Sequence, residues 1–222
     1  MQTVDQSIDT GHGLAPGLWL RPDDAIATYV LAHGAGAGMR HTFMQAIAER
    51  LAQRRIATLR YEFLYMANGG RRPDRENILL DTVRAAVAHG HAIAPDLPLI
   101  AGGKSMGGRM TSRAAAVEPL DTSAIAFICF PLHPPKRVSS ERAAHLQDVK
   151  LPMLFLQGTR DDLADLPSIT NVINGLGDRA TLHAVDGADH GFHVLKRSGR
   201  DDDEVLDELA DTIAQFAEKF AV

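Results

Sequence analysis

Three residues have types and surroundings suited to one chemistry. Ser105 lies in Gly103-Lys104-Ser105-Met106-Gly107, a G-x-S-x-G motif between the apolar run Leu99-Ile100-Ala101 and a helix-like stretch through Ala114-Ala115-Ala116. A serine in this motif sits on a tight strand-to-helix turn with its hydroxyl in the open. The residues two places away on either side are expected to press against each other, and Gly103 and Gly107 are small enough to do so. Asp161 ends Gln157-Gly158-Thr159-Arg160-Asp161, just past the apolar run Met153-Leu154-Phe155-Leu156. His190 stands in Gly187-Ala188-Asp189-His190-Gly191, just past the run Ala180 to Val185. An attacking hydroxyl, an imidazole that takes its proton and a carboxylate that fixes the imidazole tautomer are the parts of nucleophilic acyl transfer. The fourth part is an oxyanion hole. His33-Gly34-Ala35-Gly36 follows an early strand, where the Ala35 N–H, or secondly that of Gly36, could pair with the Met106 N–H at a helix start.

Other readings of these residues fare worse or stay open. Gly103-Lys104-Ser105 looks like the end of a phosphate-binding loop, but Pro98 stands where that loop needs a glycine. Asp162 could replace Asp161, and Asp165 lies one turn on; position favours Asp161. His193 competes with His190 and reads better as a packing or capping residue. The two together lack a third ligand at a metal-site spacing, so no metal is expected. His33 reads as a structural turn residue, Cys129 as core, and His89-Gly90-His91 as a solvated helix end. Gly36, Tyr65, Lys104 and His133, all at or just past strand ends, are the candidate pocket residues. Lys104, Arg60 and Arg109 near the elbow could favour an anionic substrate, whereas Arg71, Arg72 and Arg75 read as a solvated face.

The elements that must position these residues follow from the apolar pattern. Buried strands are expected at Ala25 to Ala32 and Ala124 to Phe130, and further strands at Ile56 to Leu59, Leu99 to the elbow, Met153 to Gln157 and Ala180 to Val185. Leu14 to Leu20, broken by Pro16 and Gly17, suits an edge strand. Helices are expected at Thr42 to Arg54, Glu76 to Ala94, from the elbow to near Pro119, Ala164 to Leu176, and along the stripe Val205, Leu209, Ile213, Phe216 and Phe220. Asp201, Asp202, Asp203 and Glu204 complement the dipole at the start of that last helix. Arg60 to Arg75 reads as an aromatic and basic loop, and Pro131 to Val149 as a loop with a short helix at Ser140 to His145. Alternating strands and helices argue for an α/β fold with a mostly parallel sheet covered on both faces, without a large cap domain. Ligands of such sheets bind at the C-terminal strand ends.

Composition narrows the class. The chain has 222 residues, 45% of them hydrophobic, which suits one domain over residues 1–222. A net charge of −5 argues against a nucleic-acid partner. One cysteine allows no internal disulfide and fits a reducing compartment. Met1 to His12 is polar, with no basic segment before an apolar core, and no run suits a membrane span. A cytoplasmic protein with no cofactor and a small-molecule, ester-like substrate is the expectation.

With these residues in hand, the chain resembles the α/β-hydrolase fold, in its dienelactone-hydrolase-like branch. The chain order Ser, Asp, His is that of these hydrolases. Within the branch it is similar to small bacterial hydrolases related to a eukaryotic subunit of a histone-acetyltransferase complex and to a testis-expressed protein. The likeness covers nearly the whole chain. It rests on His33 to Met39, Thr58-Leu59-Arg60-Tyr61-Glu62-Phe63, Ala101 to Arg109, Phe130-Pro131-Leu132-His133-Pro134, Leu156 to Asp161 and Gly187-Ala188-Asp189-His190. It implies a carboxylesterase-like serine hydrolase acting on a small ester, thioester or lactone. Dienelactone hydrolases proper use a cysteine nucleophile where this chain has Ser105, so their lactone is not carried over. The eukaryotic relatives include a scaffold subunit, so the alternative is a non-catalytic binding protein on the same fold. Without a cap domain, a shallow pocket for short acyl groups is expected.

Overall fold

The computed structural model describes residues 2–135 and 137–221. Eight strands form one sheet: β1 (Val4–Asp9), β2 (Leu14–Leu20), β3 (Ala27–Ala32), β4 (Ile56–Tyr61), β5 (Leu99–Lys104), β6 (Ala124–Ile128), β7 (Met153–Gly158) and β8 (Ala180–Val185). Their spatial order is β1-β2-β4-β3-β5-β6-β7-β8. Both pairs that involve β2 are antiparallel, and every pair from β4 to β8 is parallel. β5, which ends at the elbow, therefore lies inside the sheet between β3 and β6.

The period-two alternation of strand side chains divides the core. Tyr29 and Leu31 of β3 face helices α1 (Thr42–Gln53) and α6 (Asp202–Glu218), with Ile47, Leu51, Leu209 and Ile213 in one cluster. Val30 and Ala32 face the other way, toward α3 (Glu76–Ile93) and α4 (Met106–Val117), with Val83, Val87 and Met110. A third cluster joins Phe127 and Phe155 to α5 (Leu166–Leu176) and a 3₁₀ segment at Glu141–Asp148. Both faces of the central strands are covered, which is why these strands are near-continuous in apolar residues.

Helix ends follow their capping chemistry. α5 is capped by Asp165, with Pro167 in its first turn. Asp201 and Glu204 form a capping box on α6. Asp203, Asp207 and Asp211 of α6 pair with Arg50 of α1 and with Arg54, the residue that caps its C-terminus. The acidic run at 201–204 is thus absorbed by caps and ion pairs.

Several expectations need correction. The polar N-terminus forms β1, so the sheet edge is β1, and β2 sits one place inward. β1 escapes a hydrophobic reading because only Ile8 of its six residues is buried. The segment after β4 contains a four-residue helix, α2 (Leu64–Ala67). α3 runs on past His89, which is half-buried with its Nε2 2.9 Å from the Gln6 side chain, so this stretch is not simply solvated. β6 stops at Ile128, and Cys129 turns out of the strand with φ +56°.

Candidate active site

Ser105 has φ +51° and ψ −114°, a conformation that is costly for a residue with a Cβ and must be held by its surroundings. Its N–H donates to the Ile128 carbonyl at 2.9 Å, and its carbonyl accepts the Arg109 N–H at 3.1 Å, which starts α4. The flanking glycines are required, and the nearest obstacle to a side chain at either is the end of β3. A Cβ at Gly103 would lie 2.3 Å from the Ala32 carbonyl oxygen, and one at Gly107 2.5 Å from that of His33. The end of β3 therefore presses on both.

The three chemistry-bearing side chains meet. The Ser105 hydroxyl lies 2.9 Å from His190 Nε2, and His190 Nδ1 lies 2.8 Å from Asp161 Oδ2. With Nδ1–H donating to the carboxylate, Nε2 is left as the acceptor for the hydroxyl. Asp161 is 3% exposed. Its Oδ2 also accepts the Gln157 side-chain N–H at 2.5 Å, and its Oδ1 accepts the Leu163 N–H at 2.8 Å. Gln157 is itself held by the Phe130 N–H at 3.0 Å. Asp162 is exposed and Asp165 caps α5, so the structure brings neither to His190.

The turn after β3 is fixed from behind. His33 is buried and neutral: burial pushes its pKa down. Its Nδ1–H donates to the Gly34 carbonyl at 2.7 Å, and its Nε2 accepts the Phe63 N–H at 3.0 Å. Tyr65 donates its hydroxyl to the Ala35 carbonyl at 2.8 Å, and burial pushes its pKa up to about 12, so the donor proton stays on. Glu62 accepts the Met39 N–H, and Arg60 donates to the Met39 carbonyl. Among the described residues the N–H groups of Ala35 and Met106 have no acceptor, and neither has that of Gly36.

A cavity of about 690 Å³ opens there, lined by the 34–37 turn, Ser105 and His190, with Phe43, Met44, Phe192 and Leu206 as its apolar wall. That volume is typical of sites for drug-sized ligands, more than a shallow pocket for the shortest acyl groups needs. Of the four pocket candidates, Gly36 and Lys104 line it. Tyr65 and His133 do not. Tyr65 is buried behind Ala35, held there by its hydroxyl. His133 is 3% exposed, its backbone and that of Leu132 are tied to the Leu163 carbonyl, and its Nδ1 turns back to the Pro134 carbonyl. Arg60, spent on Met39, is likewise no substrate contact.

Sequence reasoning missed Gln157, whose signal was a lone amide inside an apolar strand. It also did not single out Phe43 and Phe192, which line the cavity. His193 proves exposed and ion-paired with Asp202 at 2.6 Å, on the rim of the cavity. Cys129, buried as expected, places its sulfur with Asp161 and His190 so that one ligand atom from each lies within 4.8 Å of the others. Burial pushes the thiol up to about 12, which opposes the thiolate that a metal ion would need, and both Asp161 oxygens already accept N–H groups.

The sheet order, the elbow and this constellation define an α/β hydrolase. The family model described as an alpha/beta hydrolase domain matches residues 25–218, and the chain belongs to that family. Among solved structures it is similar to an α/β serine hydrolase without a lid from Xanthomonas campestris, with a TM-score of 0.77 and 20% identity over 100% of this chain and 96% of that one. A dienelactone hydrolase from Anabaena variabilis gives 0.76 and 21%, covering 100% and 98%. The esterase domain of a Rhodothermus marinus protein gives 0.74 and 14%, covering 99% of each chain. Identities this low carry the fold alone.

Proposed function

We propose that the protein is a carboxylesterase-like serine hydrolase that cleaves a small carboxylic ester, thioester or lactone through an acyl-enzyme on Ser105. The observation that carries this is the continuous chain Ser105–His190–Asp161, with links of 2.9 and 2.8 Å, opening onto the cavity. A non-catalytic scaffold has no need of a strained serine on a cavity wall with its hydroxyl bonded to a histidine.

In this reading Ser105 Oγ attacks the acyl carbon while its proton passes to His190 Nε2. Asp161 holds the Nδ1–H and stabilises the imidazolium. The oxyanion that forms is met by the Met106 N–H and by that of Ala35; one such donor is worth roughly 10²–10³ in kcat. The bond to the leaving group then breaks as His190 returns the proton to it. Water, deprotonated by His190, attacks the acyl-enzyme, and the acid leaves with Ser105 restored. The acyl group is placed against Phe43, Met44 and Leu206. The narrower kinship with the small bacterial hydrolases of the dienelactone-hydrolase-like branch, and a cytoplasmic location, belong to the same reading.

A fluorophosphonate probe, which reacts with activated serines, tests it by intact mass. The native protein is expected to take up one label, and Ser105→Ala and His190→Ala none. A folded native protein that takes up no label would remove the mechanism and favour the scaffold.

A further inference from the structure

Lys104 is the last residue of β5, next to the nucleophile. Its ammonium donates to the backbone carbonyl of His190. The same nitrogen lies 5.2 Å from the ring centre of Phe43 and 5.4 Å from that of Phe192, within cation–π range of both. The two rings are nearly parallel, 6.2 Å apart at 14°. Phe43 lies in the first turn of α1, just past the 33–38 turn, and Phe192 lies two residues past His190. Among the described residues Lys104 forms no ion pair. One side chain thus joins the strand of the nucleophile, the main chain of the histidine and the helix that follows the oxyanion turn.

The histidine needs such a tie. It sits in an irregular segment between β8 and α6, in which Phe192 has φ +66°. The segment's other restraints lie elsewhere. Asp189 Oδ1 accepts the Gly191 and His193 N–H groups within the segment itself. Asp202 accepts from His193 and Val194 and anchors it to α6. Neither reaches the elbow. The Lys104 side chain lines the cavity while its head takes the His190 carbonyl.

Resting on the hydrolase reading, we propose that Lys104 is a positioning residue: its ammonium clamps the backbone of His190 to the nucleophile strand and keeps the imidazole within reach of the Ser105 hydroxyl. The clamp requires a donor at the end of a long stem. Arginine can supply one and can stack on the rings; methionine keeps the bulk without the donor.

Lys104→Met and Lys104→Arg test the clamp by two readouts. The first, hydrogen exchange of segment 187–195 followed by mass spectrometry, does not depend on activity. Exchange is expected to quicken about tenfold in Lys104→Met and to return toward native in Lys104→Arg. The second is the kinetics on a short-chain 4-nitrophenyl ester. There kcat is expected to fall about 10- to 100-fold in Lys104→Met with KM within about twofold, again recovering in Lys104→Arg. Lys104→Leu, which also lacks the donor, substitutes for Lys104→Met if that variant does not fold. Native exchange in the methionine variant overturns the clamp. Faster exchange with native kcat overturns its catalytic consequence. If the native protein neither labels nor turns over, the hydrolase reading fails, and the exchange comparison still decides the clamp.

Discussion

Asp161 and His190 are bonded to each other yet live in different surroundings. The Asp161 side chain is 0% exposed, and both of its oxygens accept hydrogen bonds from short, local partners: Gln157 in the strand just before it and the Leu163 backbone just after it. The His190 side chain is 26% exposed and borders an open cavity. Its segment is held partly from within, by Asp189, and partly by charged contacts near solvent: Lys104 to its carbonyl, Asp202 to His193 and Arg200 to Glu208. The acid end is built like a core and the histidine end like a surface. Buried polar oxygens are costly unless hydrogen-bonded, so that end must be rigid. In the proposed mechanism the histidine exchanges protons with substrate and water, so that end must stay accessible.

This contrast orders the effects of substitution. The largest is expected from Asp161→Asn, which reverses the donor on the carboxylate side and strands the wrong imidazole tautomer. Esterase activity should fall about 10³- to 10⁴-fold, with Asp162→Asn close to native. Equal losses in the two would place the acid elsewhere. Gln157→Leu comes next. It leaves the Phe130 N–H without its partner and Asp161 short of one donor, at about 2–3 kcal/mol, and should lower Tm by roughly 5–10 °C. A melt unchanged by Gln157→Leu would show that the acid end is not core-like.

The smallest effect belongs to the histidine end and depends on pH. His193 has its pKa raised by the Asp202 hydrogen bond, and Asp202 has its own lowered by His193. The pair's contribution is present between those values. It is lost as pH rises above the ordinary histidine range through the raised pKa, and as pH falls below the ordinary carboxylate range. The groups are largely exposed, so His193→Ala should cost only about 1–2 °C in Tm at pH 5.5 and nothing near pH 9. A loss equal at both pH values would assign the effect to packing.

What was legible in the sequence was local. β3, β5, β6 and β7 are apolar on both faces and carry the residues of the site at their ends, so the motifs and the strands pointed to the same places. Ser105, Asp161 and His190 each follow a strand that folds as its pattern suggests. What was not legible depends on partners far along the chain. β1 is polar, and its strand state comes from pairing with β2. Tyr65 and His133 stand near the right strand ends but turn into the protein, because backbone carbonyls there take their polar atoms. Phe43, Lys104 and Phe192 become one contact only when three distant segments meet. Their apolar or charged character, read singly, suits a core or a surface equally well.

The single cysteine carries a last consequence. Cys129 is fully buried, with its sulfur beside Asp161 and His190, and burial pushes its thiol up to about 12, against the thiolate that alkylation needs. Covalent modification of this sulfur therefore has to wait for the wall between β6 and the histidine segment to part. The alkylation rate of the unmodified protein becomes a built-in clock for that opening, with no label to introduce and no second thiol to confuse the count.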